Sequence, residues 1–254
     1  MKKSLFLLIL ILGLNVGAKS LNTAPVRFPI PKVTIDVTDS RKPADVALTL
    51  EILALLTILT LAPALVMMLT SFVRVVIVFS FISRALATQQ MPPTQVVMGL
   101  SLFLTFFIMS PVLKDINDNA LQPYLQKKID VTTFYKNSIK PLRKFMFKQT
   151  REKDISLFIY LGKLKRPKNR NDVPTYVLIP AFMLSELTTA FKMGILIFIP
   201  FIMLDLIVAS ILMSMGMIML PPVMISLPLK IMLFVLVDGW HLITYSIVQS
   251  FHML

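Results

Sequence analysis

The chain has 254 residues, 56% of them hydrophobic and 15% charged, with 17 Met, 7 Gly and no Cys, and a mean hydropathy of +0.78. That balance excludes an ordinary soluble cytosolic enzyme, and the cysteine inventory excludes disulfides, cysteine-ligated metal centres and thiol nucleophiles. A net charge of +13 on a soluble protein points to a polyanion, but here the basic residues are gathered between apolar blocks.

Met1-Lys2-Lys3, the apolar run Ser4 to Leu14 and the small-residue stretch Val16-Gly17-Ala18 have the three parts of a secretory signal, with cleavage predicted after Ala18. An uncleaved anchor is the alternative, although the run is short for a span of about 20 residues. Residues 19–45, with Pro25, Pro29, Pro31 and Pro43 and no sustained period, read as an extended arm.

Residues 46–113 form a first hydrophobic region. Val46 to Leu69 is apolar except for Glu51, long enough to cross a bilayer, with Pro63 a predicted kink. Ser71 to Leu86 carries Arg74 and Arg84 and is either a continuation of that helix or the arm of a hairpin; it ends at the break Met91-Pro92-Pro93. Thr94 to Leu113, closing at Ser110-Pro111, is the clearest single span.

Composition changes abruptly over residues 114–174, where fifteen basic residues face six acids. Apolar positions such as Phe134, Ile139, Leu142, Phe145 and Met146 recur at helical spacing, which predicts short amphipathic helices with a solvated basic face and a basic tail from Lys163 to Arg170. The second hydrophobic region, 175–254, opens with Tyr176 to Leu220, too long for one perpendicular span across a core of about 30 Å. It is predicted to bend or divide at Pro180, Gly194 or Pro200; Leu220-Pro221-Pro222 then breaks the chain before the last run, Val223 to Leu254.

The chain's chemistry is sparse. His241 and His252 are isolated, with no carboxylate at metal-ligand spacing, so neither catalytic, cofactor nor metal residues are expected. Charges inside the apolar blocks say more. Glu51, Glu186, Lys192, Asp205, Lys230 and Asp238 would each be costly facing lipid, about 2.5 to 3.5 kcal/mol for Asp or Lys on insertion scales, and must face protein or water. They can serve a proton or ion relay, or pair between helices or subunits. Lys230 and Asp238 lie about 80° and roughly 12 Å apart on a helix, so their partners must come from elsewhere. Met213, Met215, Met217 and Met219 alternate up to Pro221-Pro222. Methionine is an adaptable core filler, but a cluster beside a double-proline break, where backbone is tolerated only against protein or a cavity, also fits a pore constriction.

Sidedness is contested. A cleaved signal leaves the amino terminus outside, so an inward and an outward pass put 114–174 outside too, with Arg74 and Arg84 on the cytoplasmic side. The positive-inside rule places that loop inside, but the loop sits at the length limit of about 60 residues where the rule fades, and the signal is followed here.

Two blocks carry a family resemblance: Ser71-Phe72-Val73-Arg74-Val75-Val76-Ile77-Val78 through Gln89-Gln90-Met91-Pro92-Pro93 to Met109-Ser110-Pro111-Val112, and Pro180-Ala181-Phe182 with Ser185-Glu186-Leu187 through Met213 to Pro222 and Asp238-Gly239-Trp240. From about Leu48 to Trp240 the chain resembles the flagellar biosynthesis protein FliP family, a core export-gate component shared with type III secretion systems; Asp118 to Asn171 matches only in kind. The resemblance implies an all-α integral membrane protein of helical hairpins, with a small helical periplasmic domain inserted between two hydrophobic halves. It implies a non-enzymatic subunit in a homo-oligomeric ring of five copies, joined by two other small export-gate membrane proteins. Unfolded protein substrates would leave the cytoplasm through the centre of that ring, in the flagellar basal body at the bacterial inner membrane. It implies that the apolar segments assemble as a cone raised largely out of the bilayer, that Met217 and Met219 form a channel gasket beside Met213, Met215, Pro221 and Pro222, and that Arg74, Arg84, Glu186, Lys192, Asp205, Lys230 and Asp238 are packing or assembly charges. The competing reading is a stand-alone ion-coupled transporter or channel with Asp205 and Asp238 as ion-binding carboxylates. A nucleic-acid binder using Lys163 to Arg170 requires the opposite sidedness, so no nucleic-acid partner is expected.

Overall fold

A computed structural model of the chain describes residues 43–87, 92–217 and 219–252. The signal sequence, the arm up to residue 42, Gln89-Gln90-Met91 and Ile218 lie outside the described residues. The chain divides into two units, 1–52 and 53–254; the described part of the first is the opening of a helix, and the second holds all the others.

Among the described residues every regular element is helical. Helix α1 (Pro43–Met68) is followed by α2 (Phe72–Ala85), α3 (Thr94–Ile116), a π turn (Asn117–Leu121) and the short α4 (Gln122–Leu125). Then come α5 (Val131–Gln149), α6 (Glu152–Leu161), a 3-10 turn (Arg170–Asp172), the 40-residue α7 (Thr175–Ser214), α8 (Pro222–Leu236) and α9 (Gly239–His252). Among the described residues, three helical stretches are long and apolar enough to cross a membrane: Thr49–Met68, Thr94–Leu125 and Thr175–Ser214. The bent pair α8 and α9, at 63°, makes a fourth if counted as one span.

Several sequence expectations change here. Pro111, Pro180 and Pro200 lie inside continuous helices, so α3 runs past Ser110-Pro111 and, of the two expectations for the long run, α7 does not divide; Pro63, the expected kink, is likewise internal to one helix. Each internal proline removes one backbone donor, and neighbouring packing holds the rest of the turn: Val177, Leu178, Ala181 and Phe182 around Pro180 are all buried. At 1.5 Å per residue α7 is roughly 60 Å long, about twice the hydrocarbon thickness. Its buried residues are concentrated before Ile195, from Val177 through Glu186 to Gly194, with only Phe201, Val208 and Leu212 beyond. The first half of α7 is wrapped by protein, while much of the second half exposes apolar side chains. The last hydrophobic run is broken at Asp238, which takes a left-handed φ of 50° between α8 and α9.

The main core forms around α2. Its Val75, Val78, Phe79 and Ile82 are completely buried, joined by Ala190 and Phe201 of α7, Phe234 of α8, and Ile243, Ile247 and Phe251 of α9. A second cluster places Met146 of α5 against Val173, Val177, Leu178 and Phe182, which seats the basic helices on the start of α7. Helix α1 takes little part: from Leu53 to Leu61 every side chain is exposed, the mark of a helix awaiting lipid or another chain on all faces.

Gly194 sets how closely α2 and α7 approach. A Cβ at this position would lie 2.5 Å from the Phe81 ring, which itself packs edge-on against Phe191 at 5.5 Å. Gly99, in α3, has open space where its Cβ would be. Gly194→Ala is therefore expected to cost about 1 to 3 kcal/mol by overpacking, whereas Gly99→Ala is neutral or gains up to about 1 kcal/mol from helix propensity. Thermal unfolding of the two variants in detergent checks the contrast.

Candidate functional site

Arg74 projects from the first turn of α2 and is completely buried, as is Glu186 of α7. Its Nε donates to Glu186 Oε2 at 2.8 Å, and one Nη2 hydrogen closes the fork on Glu186 Oε1. The other Nη2 hydrogen goes to Gln149 Oε1 of α5 at 3.1 Å. Nη1 donates to Ser250 Oγ at 2.9 Å and, more weakly, to Ser250 O at 3.4 Å, both on α9. The guanidinium plane covers the Phe251 ring at 3.9 Å, and Gln149 Nε2 donates to Phe251 O at 3.2 Å. All five guanidinium donors are engaged, which is the condition under which a buried ion pair is tolerable.

One residue earlier on α7, Ser185 donates to Asp154 Oδ2 at 2.5 Å and accepts the Arg151 N–H at 3.1 Å. Arg151 bonds the same carboxylate oxygen through Nε at 2.7 Å and reaches Thr188 Oγ1 at 2.8 Å. The start of α6 is thereby fixed to α7 beside the Arg74 network.

Farther along α7, Asp205 accepts from Lys230 Nζ at 2.6 Å through Oδ2 and from Ser226 Oγ at 2.5 Å through Oδ1. Ser226 and Lys230 stand four residues apart on one face of α8, and Lys230 is only 2% exposed. This node pins α8 back against α7, and the methionine loop is the tip of the resulting hairpin. At that tip α7 ends in a Schellman motif: the Gly216 N–H bonds Met213 O at 3.1 Å and the Met217 N–H bonds Leu212 O at 3.0 Å, with Gly216 at φ 74°. Glycine is suited to this position because it takes left-handed φ without a Cβ clash. Pro221 then caps α8 and Pro222 occupies its first turn, where a missing N–H costs nothing.

The methionines between these stops point away from the fold. Met213, Met215 and Met217 are exposed, and Met219 is 98% exposed. Their backbone is held at both ends while their side chains have no core to fill. Arg84 at the end of α2, Lys192 on α7 and Asp238 at the α8–α9 bend are also exposed, without an ion-pair partner among the described residues. Arg74 lies inside the fold, so its position carries no information on sidedness. Among the described residues no three of His, Cys, Asp and Glu converge as a metal site.

Sequence reading singled out Arg74, Glu186, Asp205 and Lys230 but did not pair them, and it missed Gln149, Ser250, Asp154, Ser185 and Ser226. The available signals were small: a serine next to Glu186, and Ser226 one helical turn before Lys230.

Glu186→Ala leaves the Arg74 charge buried and half-bonded, an expected loss of about 3 to 5 kcal/mol. Arg74→Met combined with Glu186→Leu should cost less than the sum of the two single changes, because neither charge is then orphaned. Folded yield and thermal midpoint in detergent for Glu186→Ala give the first cost, and the same measurements on Arg74→Met, Glu186→Leu and their combination give the coupling.

The FliP family model matches residues 55–247, which include all three ion pairs of the described residues and the methionine loop. The flagellar biosynthetic protein FliP of Bacillus subtilis is 52% identical over 217 residues, covering 85% of this chain and 98% of that protein. That of Borreliella burgdorferi is 56% identical over 216 residues, 84% and 85% of the two chains, and that of Treponema pallidum 46% over 241 residues, 94% and 89%. Identity near one half across at least 84% of the residues, together with a family match running through both apolar blocks, has a plain consequence: the chain belongs to the FliP family.

Proposed function

We propose that this chain is a core subunit of the flagellar or a related type III protein export gate, one copy in a homo-oligomeric ring of five that is completed by two other small export-gate membrane proteins. It stands in the bacterial inner membrane, enters it on a cleaved signal at 1–18, and carries the 114–174 region on the periplasmic side. The ring encloses the channel through which unfolded export substrates leave the cytoplasm. The subunit does no bond chemistry; its work is to hold a closure.

The observation that carries this reading is the methionine loop. A Schellman stop at Gly216 and the Asp205–Lys230 clamp anchor the helices on either side of it, yet Met215, Met217 and Met219 lie exposed at the end of a hairpin. Exposed thioether side chains on a fixed turn are a costly surface for a lone molecule. Converging from several copies they make a soft apolar plug that can part around chains of any sequence and close again. Met217 and Met219 are assigned to that gasket, with Met213, Met215, Pro221 and Pro222 beside it. The exposed faces of α1 and of the second half of α7 supply contact surface for neighbouring subunits, and Arg84, Lys192 and Asp238 are available as charges between copies. Arg74, Glu186, Asp205 and Lys230 serve within each copy. The stand-alone transporter reading is weakened because Asp205 spends both carboxylate oxygens on Ser226 and Lys230.

The test is Met217→Ala with Met219→Ala. Cells carrying the assembled double variant are expected to leak small ions across the inner membrane, read by conductance or by dissipation of the membrane potential. An assembled double variant with tight membranes would overturn the gasket.

A further inference from the structure

Helix α5 carries five basic residues and no acid along its 19 residues. Lys136, Lys140 and Lys144 recur every fourth residue, so they form one row with about 6 Å between successive charges. All three are exposed, and none has a hydrogen bond or ion pair among the described residues. Opposite them stands the 3-10 turn at Arg170–Asp172, held there by Arg143, whose Nη1 donates to Thr175 Oγ1 at 2.6 Å and whose Nη2 donates to Val173 O at 2.7 Å. Between helix and turn lies a groove of about 840 Å³ with Lys136, Lys140, Arg143 and Lys144 on one wall and Arg170 on the other. Ile139 and Phe147 also line it, both half-buried.

The groove's five cations outnumber the acids near it. Asp172 stands in the facing turn and accepts the N–H groups of Lys168 and Asn169, at 3.2 and 3.0 Å, Asp130 caps α5 by accepting the Thr133 N–H at 3.2 Å, and Asp115 lines a neighbouring pocket with Lys144 and accepts from Asn119; none forms an ion pair with the lysine row among the described residues. The groove is thus positive, rigidly braced, concave and provided with apolar contact, while its lysines are left over from folding.

We propose that this groove is a docking site for an acidic segment of a partner protein, a helix or strand that presents carboxylates at one-turn intervals. The spacing selects that chemistry. Carboxylates four residues apart on a helix are about 6 Å apart, and those on alternate residues of a strand about 6.6 Å, both in step with the lysine row. The apolar lining accepts a hydrophobic side chain between the carboxylates, and Arg170 closes over the far side. A layer of anionic lipid headgroups would meet the groove's rims, leaving its lining unused.

The experiment titrates a fluorescent octaglutamate peptide onto the full chain in a neutral maltoside detergent. Removing three exposed charge contacts by Lys136→Gln, Lys140→Gln and Lys144→Gln together is expected to weaken binding about tenfold. The charge-matched triple Lys163→Gln, Lys165→Gln and Lys168→Gln, outside the groove, should weaken it by less than about threefold. Glutamine is a good helix former, and Lys140→Gln alone, expected to weaken binding about twofold, carries the same test should the groove triple elute abnormally. Equal losses in the two triples would reduce the effect to bulk charge and overturn the proposal, as would the absence of saturable binding to the unaltered chain. Displacement of the peptide by short-chain phosphatidylglycerol at lower concentration than by unlabelled peptide would assign the groove to lipid and overturn it as well.

Discussion

A guanidinium group removed from water must find five acceptors, and that requirement organises this molecule around Arg74. Its acceptors come from sequence separations of 75, 112 and 176 residues, so the bonds can form only when α2, α5, α7 and α9 have all arrived. The hydrophobic effect is non-directional, so burial of apolar area does not by itself specify one register of α2 on α7. A bidentate arginine–carboxylate pair admits one register. Gly194, where any Cβ would strike Phe81, restricts the same interface by shape.

From that fixed point α7 acts as a spine. Its first half is held by the Arg74 and Asp154 networks and by the cluster around Met146 and Phe182. Its second half carries Asp205, which returns α8 against it, and then ends at a glycine stop. Placement is thus passed along one helix from a buried core to an exposed turn, and the methionines of that turn are located by groups many residues away. Under the proposed gasket role, this arrangement would combine adaptable thioether side chains with helix ends anchored by the Asp205–Lys230 pair and the Gly216 stop.

How much of this could be read from the sequence follows from what each feature depends on. The helical class, the apolar blocks and the amphipathic basic segment are local periodicities, and they appear in the structure near the expected positions. The methionine cluster beside Pro221-Pro222 was visible as a run of residues, but the glycine stop was not: the run from Tyr176 was expected to reach the double proline, and α7 ends at Ser214, just before Gly216. The cost of charge in an apolar run shows that Glu186, Asp205 and Lys230 need partners, but not which ones, since partner identity is a tertiary fact. The continuity of α7 through Pro180 and Pro200 escaped because a proline's penalty is fixed locally while its compensation comes from packing. The α8–α9 bend escaped for the opposite reason: it rests on a left-handed aspartate followed by a glycine packed under Phe234, with no proline to announce it.

The central claim is that this chain of the FliP family works as one of several copies around a shared channel, and its most direct test is the native mass of the tagged chain extracted from membranes in mild detergent, with every co-purifying chain identified. The account predicts a ring-sized assembly of several copies that also retains two further small hydrophobic proteins when they are co-expressed. A stable monomer or dimer without partners would contradict it.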